Sequence, residues 1–263
     1  RRQRQMCIRD RYKLFCDFRE YSKEFVTKIR EIADCIAKCD VYAGLAQAAV
    51  ENNYCKPIID DSDDFIIKNG RHAVLEKILP LGEYVANDLE LKCNSSDSTQ
   101  FMILTGPNMA GKSTYMRQNA LIAILAQIGS WVPADFAKIG IIDKIFTRVG
   151  ASDDLTLGQS TFMVEMIETA CILNSATDRS FILLDEIGRG TSTYDGVAIA
   201  WSVAEYIATK IKARCIFATH YHELNVMTKT YPQIKNYRIT ISEENGEIEF
   251  LRKIVQGLSL IHI

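Results

Sequence analysis

The sequence lacks several features that would assign it to a specialised class of protein. Its 263 residues contain no apolar run close to the roughly 18 residues that a membrane-spanning helix needs. The arginine-rich first residues are not followed by an apolar segment, so no secretory signal is visible. The net charge of −2 carries no whole-chain signature of nucleic-acid binding. Any DNA-binding surface must therefore be local or lie outside this chain.

The eight cysteines do not form a metal or redox pattern. Their spacings match no zinc or redox motif, and Cys35 and Cys39 stand one helical turn apart with no partners nearby in sequence. We therefore expect reduced thiols that pack as small hydrophobic side chains in a cytosolic protein. Internal repeats and low-complexity segments are also missing.

The first part of the chain has the pattern of a long amphipathic helix. From residue 18 to about residue 43, apolar residues recur at steps of three and four, with charged residues between them. The apolar seam is narrow, which favours packing against another helix over packing on a broad sheet. Asn52, Asn53 and Pro57 end the pattern.

The rest of the chain alternates strand and helix patterns. Short alternating runs between residues 58 and 92 predict strands, with a turn at Asn69 and Gly70. Strands are then predicted at FMILT (101–105), IFTRV (145–149), SFILL (180–184) and RCIFA (214–218). Helices are predicted at 112–128, 162–174 and 195–210, and a hairpin around EENG (243–246). This order predicts an α/β fold with a largely parallel sheet covered on both faces.

The stretch GPNMAGKST (106–114) fits the phosphate-binding loop pattern G-x-x-x-x-G-K-[ST]. Gly106 and Gly111 allow the tight backbone turn that points N–H groups at phosphate oxygens. We expect Lys112 to reach the β- and γ-phosphates and the Ser113 hydroxyl to bind Mg²⁺. The strand before the loop and the helix after it provide the context that the motif requires.

Two further strand ends complete a nucleotide-hydrolysing site. FILLDE (181–186) places Asp185 and Glu186 at the end of an apolar strand, which we expect to neighbour the strand before the phosphate loop. Asp185 would hold Mg²⁺ through water, and Glu186 would activate the attacking water. His220, at the tip of RCIFATH, would face the γ-phosphate, whereas His222 lies beyond that strand.

Four longer segments resemble the ATPase domain of the bacterial MutS family of mismatch-repair proteins, a branch of the ABC-type ATPases. The segments are TGPNMAGKSTYMRQ (105–118), DDLTLGQSTFMVEM (153–166), DEIGRGTSTYDG (185–196) and FATHYHEL (217–224). The second and third are far more specific than the phosphate loop. The resemblance extends from about residue 12 to residue 257.

The resemblance implies a P-loop NTPase of ABC type, with a mostly parallel central sheet flanked by helices and preceded by a long helical lever. It also implies a homodimer with nucleotide at the shared interface, where Ser160 of a second copy contacts the γ-phosphate. Tyr84 aligns with an aromatic residue that stacks on adenine, and His220 with a switch histidine. The implied catalytic residues are Glu186, Lys112 and His220. The implied ATP contacts are Gly106, Pro107, Asn108, Met109, Ala110, Gly111, Lys112, Ser113, Thr114, Tyr84 and, from the second copy, Ser160, and the implied Mg²⁺ ligands are Ser113 and Asp185.

The resemblance also implies a division of the chain. Residues 12–56 correspond to the end of the lever and residues 57–257 to the ATPase domain, while 1–11 and 258–263 look like a non-native leader and tail. Implied partners are mismatched double-stranded DNA, through domains not in this sequence, and a MutL-type repair factor, in the bacterial cytoplasm and without a membrane. Two departures from the family pattern are Ala73 in place of proline and the lack of the segment that follows the final hairpin.

Other functions remain open at this point. A MutS-like paralogue acting in recombination or ribosome rescue is one alternative. A nucleotide-binding subunit of a transporter is another, but it would carry an LSGGQ-like signature where this chain has LGQSTFMVEM. A truncated chain that cannot dimerise would be inactive by itself.

Overall fold

A computed structural model describes residues 2–80, 82–93, 98–107, 110–149, 161–244 and 247–258. The chain divides into two compact units, Arg1–Glu51 and Asn52–Ile263. None of the helices in the described ranges is long and apolar enough to cross a membrane.

The first unit consists of two helices, α1 (Arg2–Lys23) and α2 (Val26–Glu51). The sequence pattern predicted one helix across this region, but the chain turns at residues 24 and 25. There Glu24 N–H donates to the carbonyl of Tyr21 over 3.3 Å and Phe25 N–H to that of Ser22 over 3.1 Å. The arginine-rich start, which has no apolar seam, is nevertheless helical.

The second unit alternates strands and helices from residue 58 to residue 256. Its strands are β1 (Ile58–Asp60), β2 (Phe65–Gly70), β3 (Asn87–Leu91), β4 (Phe101–Thr105), β5 (Phe136–Gly140), β6 (Ile145–Arg148), β7 (Phe181–Asp185), β8 (Arg214–Ala218), β9 (Ile234–Glu244) and β10 (Glu247–Gln256). Its α-helices are α3 (Leu75–Ile78), α4 (Lys112–Gln127), α5 (Thr161–Ser175), α6 (Thr193–Tyr206) and α7 (Met227–Thr230). A π-helical turn (Ile207–Ile211) extends α6, and a 3₁₀ helix (His222–Val226) precedes α7.

A six-stranded sheet with the order β10-β9-β4-β8-β7-β6 forms the centre of this unit. Every neighbouring pair is parallel except β9 and β10, which form the predicted antiparallel hairpin. The prediction of a mixed α/β fold with a mostly parallel sheet is therefore confirmed for this sheet. The turn of the hairpin, Asn245 and Gly246, lies outside the described residues.

The order of the strands corrects one prediction about the site. We expected β7, which carries the acid pair Asp185 and Glu186, to lie beside β4, which leads into the phosphate loop. Instead β8 lies between them and pairs with both in parallel register. The sequence order of the strands does not reveal this, because parallel strands joined by crossovers need not be neighbours.

A second sheet has the order β1-β5-β2-β3 and is largely antiparallel. The predicted turn at Asn69 and Gly70 is wrong, because β2 continues through both residues and Gly70 pairs with Asn87 of β3. Asn69 adopts φ 49° and the register shifts nearby, so the pair forms a bulge within the strand.

Both faces of the six-stranded sheet are covered, as β4 illustrates. All five residues of the strand, FMILT, are buried. Met102 and Leu104 pack in one hydrophobic cluster with Met116 of α4. Phe101 and Ile103 pack in another cluster with side chains of α6. Alternating residues of a strand point to opposite faces, so a continuous apolar run is what a doubly covered strand requires.

Candidate functional site

The phosphate loop leaves the carboxyl end of β4 and enters α4 at Lys112. Gly111, at the N-cap of α4, has φ 107°. That is left-handed backbone, which side chains with a Cβ rarely adopt. A Cβ at Gly111 would meet no atom within 4 Å, so the glycine serves the backbone conformation and not a close contact. The N-terminus of α4 therefore points its free N–H groups toward the space above the loop, where an anion is favoured.

Lys112 bends back over the loop that it follows. Its Nζ donates hydrogen bonds to the carbonyl oxygens of Gly106 over 2.5 Å and Pro107 over 3.2 Å. Only 5% of the residue is exposed, and this burial lowers the pKa of its ammonium group. The two hydrogen-bond partners of this buried cation are neutral carbonyl groups, and Asp185 and Glu186 act on it only as nearby charges. A buried cation gains from a directly bonded anion, so the loop is suited to phosphate.

Ser113 and Asp185 come together across the width of β8. The Ser113 hydroxyl donates to Oδ2 of Asp185 over 2.6 Å. Burial raises the pKa of Asp185, and the hydrogen bond from Ser113 acts in the opposite direction. Two residues 72 positions apart in sequence thus place a hydroxyl oxygen and a carboxylate oxygen side by side.

Glu186 follows Asp185 with an unusual backbone. Its φ is 54°, and its N–H donates to the carbonyl of Ala218 over 2.9 Å. Its carboxylate accepts from Nη1 of Arg189 over 2.5 Å, and Nδ1 of His220 lies 3.5 Å from its other oxygen. The structure therefore brings the predicted Glu186 and His220 together, next to Asp185. Arg189, which pairs with Glu186, was not among the predicted site residues.

Tyr84 lines a cavity of about 260 Å³ beside the phosphate loop. Ala110, Gly111 and Thr114 form the wall of the cavity on the loop side. The Tyr84 hydroxyl donates to Oε1 of Gln118 over 2.6 Å, and burial raises the pKa of Tyr84 to about 12. The hydroxyl therefore stays protonated at neutral pH. The sequence pattern predicted that Tyr84 lies within a strand. In the structure it precedes β3, which begins at Asn87.

Gln118 and Arg252 also line this cavity, and sequence reasoning missed both. Arg252 has φ 53° and lies where the β9–β10 register shifts, so a bulge brings it to the cavity. Gln118 stands one helical turn after Thr114 in TYMRQ (114–118), so both side chains lie on the same face of α4. This spacing could have placed Gln118 near the phosphate loop. No comparable sequence signal marked Arg252.

Three predicted contacts lie outside the described residues. They are Asn108 and Met109 of the phosphate loop and Ser160, which was assigned to the partner's site. The described part of the loop, Gly106, Pro107 and Ala110 to Thr114, leads from β4 into α4 as expected.

Comparison with known proteins identifies relatives of the chain. A family model described as MutS domain V matches residues 102–261. The DNA mismatch repair protein MutS of Bacteroides thetaiotaomicron is 54% identical over 247 residues, which is 93% of this chain and 28% of that protein. The protein of the same name from Caldicellulosiruptor saccharolyticus is 53% identical over 248 residues, or 94% of this chain and 28% of that protein. One from Clostridium botulinum is also 53% identical over 248 residues. The chain thus spans little more than a quarter of the length of these relatives.

Proposed function

Because the chain belongs to the MutS family, whose domain V it matches over residues 102–261, we propose that it binds and hydrolyses ATP as part of a DNA mismatch repair protein. In this proposal, the chain has the fold of a P-loop NTPase of ABC type. In a longer protein, ATP binding and hydrolysis would drive the movement of a clamp on mismatched DNA. Contacts with that DNA and with a MutL-type factor, and a cytoplasmic location, belong to the same proposal.

The observation that carries the proposal is the 2.6 Å contact between the Ser113 hydroxyl and Asp185. Mg²⁺ prefers oxygen ligands and keeps several waters, and these two side chains offer one hydroxyl and one carboxylate at the edge of the phosphate loop. This donor set fits Mg²⁺. When bound, the ion would neutralise phosphate charge. Ser113 and Asp185 would hold it, Ser113 directly and Asp185 through water.

The remaining residues have distinct roles in this proposal. Lys112 would exchange its carbonyl partners for the β- and γ-phosphates, which would give its buried ammonium group a negatively charged hydrogen-bond partner. Glu186 would orient and activate the attacking water, with His220 beside it. Tyr84 and the cavity that it lines would take the adenine, with the ring and the base stacked.

A second copy of the chain would complete each site. Ser160, on the segment before α5, would contact the γ-phosphate bound to the other copy. Helix α5, which begins directly after Ser160, supports the idea, because its side chains Met163 and Ile167 are 56% and 57% exposed and stand one helical turn apart. Neighbouring exposed apolar side chains are typical of interaction surfaces.

Replacing Glu186 tests the proposal. Glu186→Ala should bind Mg·ATP with the affinity of the wild-type chain but lose almost all turnover, since the water loses its base while the phosphate loop is unchanged. ATP affinity and phosphate release would be measured on the same preparations. Lys112→Ala is the comparison, and it should lose binding itself. A Glu186→Ala chain that fails to bind ATP would contradict the role of Glu186.

A further inference from the structure

Glu165 is a buried carboxylate that the proposed ATPase chemistry does not use. It lies on the second turn of α5, and only 7% of the residue is exposed. Its Oε1 accepts a hydrogen bond of 2.5 Å from the backbone N–H of Gly188. Its Oε2 lies 3.8 Å from Nη2 of Arg148, whose Nε contacts Glu168 one turn further along over 2.9 Å. A buried carboxylate is costly unless it is paired and hydrogen-bonded, and Glu165 is both.

Gly188 is held on its carbonyl side as well. The hydroxyl of Tyr221, itself 7% exposed, donates to the Gly188 carbonyl over 2.9 Å. Gly188 has φ 89°, and a Cβ on it would lie 2.6 Å from the carbonyl oxygen of Gly196. The backbone at Gly188 is therefore fixed by one donor, one acceptor and a close contact with α6.

This fixed point lies two residues after Glu186. The left-handed backbone of Glu186, at φ 54°, is unfavourable for a residue with a Cβ and persists only where the surroundings determine it. The bond from its N–H to Ala218 holds one side of the turn. The contacts of Glu165 and Tyr221 with Gly188 hold the other.

We propose that Glu165 and Tyr221 are positioning residues, which direct the Glu186 carboxylate by holding the peptide groups of Gly188. The inference rests on the proposed ATPase function and deepens it. Because α5 begins at Thr161, immediately after Ser160, Glu165 also joins the helix that borders the partner's site to the turn that carries this chain's own Glu186. A displacement of α5 would therefore move the turn that carries Glu186 through the hydrogen bond between Glu165 and Gly188.

The test compares three variants of the full chain at α5. Glu165→Met keeps the length of the side chain but removes the acceptor, and should lower ATP turnover about 10- to 100-fold, the usual effect of a misplaced catalytic group. ATP affinity should be unchanged, because the phosphate loop is not touched. Glu165→Gln retains an acceptor oxygen and should turn over within about 3-fold of the wild type. The control is Asn174→Met, at an exposed polar residue of the same helix, and it should behave as the wild type.

A second measurement does not depend on turnover. In Glu165→Met the backbone amide of Gly188 should exchange with deuterium faster than in the wild type, and by a larger factor than the amides of the central strand β4. Tyr221→Phe, which removes one hydroxyl from an otherwise unchanged core, should lower turnover in the same direction. Unchanged turnover in Glu165→Met, or equal losses in Glu165→Met and Glu165→Gln, would overturn the proposal. A wild-type chain that binds no ATP would instead remove the proposed function, and this proposal with it.

Discussion

At the scale of single residues, the buried carboxylate of Asp185 lowers the folding stability of the chain at neutral pH. Burial raises its pKa above the ordinary value, so the folded chain favours the protonated form. The protonated carboxyl group therefore contributes its whole share of the folding stability below the ordinary pKa of about 3.9. This contribution is lost as the pH rises through the higher pKa of the folded state. Asp185→Asn should therefore raise the unfolding midpoint at pH 7 without nucleotide or Mg²⁺, by about 2–4 °C. Thermal unfolding at pH 7 and at acidic pH measures this.

The gain from Asp185→Asn should shrink as the pH falls toward the raised pKa of Asp185, because a growing fraction of the wild-type carboxyl is then protonated. The exposed Asp178→Asn provides the control and should leave the midpoint unchanged at both pH values. A midpoint that falls in Asp185→Asn at pH 7 would show that the ionised carboxylate stabilises the site through Ser113, against this expectation.

The sequence predicted the residues of the site that stand in contiguous motifs, and it missed the others. The phosphate loop and the acid pair each follow an apolar strand, so their chemistry and position are visible within a few letters. Arg252 reaches the cavity through a bulge in a hairpin, and Gly188 meets Glu165 from 23 positions away. Such contacts depend on how elements pack, which local pattern does not encode.

At the scale of elements, Asn87 joins the two sheets. It lies at the start of β3 and is 5% exposed. Its Nδ2 donates to the carbonyl of Arg252 over 3.0 Å, and its Oδ1 accepts from Ile254 N–H over 2.8 Å. Asn87→Ala should lower the free energy of unfolding by about 1–3 kcal/mol, because it removes two hydrogen bonds to partly buried backbone groups of β10.

Chemical denaturation of Asn87→Ala against Glu90→Ala provides that measurement. Glu90 is on the same strand, but its ion pairs with Lys68 and Lys92 are exposed, so its loss should cost less than about 0.5 kcal/mol. Equal midpoints for the two variants would mean that Asn87 does not bind the sheets together.

Most elements were predictable, and the two errors within the sheets share one cause. Strands β4, β6, β7 and β8 and helices α4 and α5 follow from apolar periodicity and the motifs. The turn wrongly placed at Asn69 and the assumed contact of β4 with β7 both depend on which strands pair. Pairing is a long-range property, and Asn69 is as compatible with a bulge as with a turn, because asparagine tolerates positive φ.

At the scale of the whole molecule, a shared site makes turnover depend on association. If Ser160 of a second copy is needed, ATP turnover per chain should rise with protein concentration and level off when the dimer is saturated. Measuring phosphate release over a wide concentration range, beside sedimentation of the same samples, tests this. Glu186→Ala at each concentration corrects for contaminating activity. A rate per chain that stays constant while the chain remains monomeric would contradict the shared site.

The strand between β4 and β7 also sets a length. Neighbouring strands stand about 4.8 Å apart. The axes of β4, which leads into the phosphate loop, and β7, which carries the acid pair, are therefore about 10 Å apart. Ser113, on the first turn of α4, nevertheless reaches Asp185 at the end of β7, as their 2.6 Å hydrogen bond shows. The spacing of the two strand ends, near which a metal and a phosphate would bind, is thus set by the backbone hydrogen bonds of the sheet. Side-chain substitutions can change which groups line this space, whereas the separation of β4 and β7 is set by the pairing of β8 with both strands.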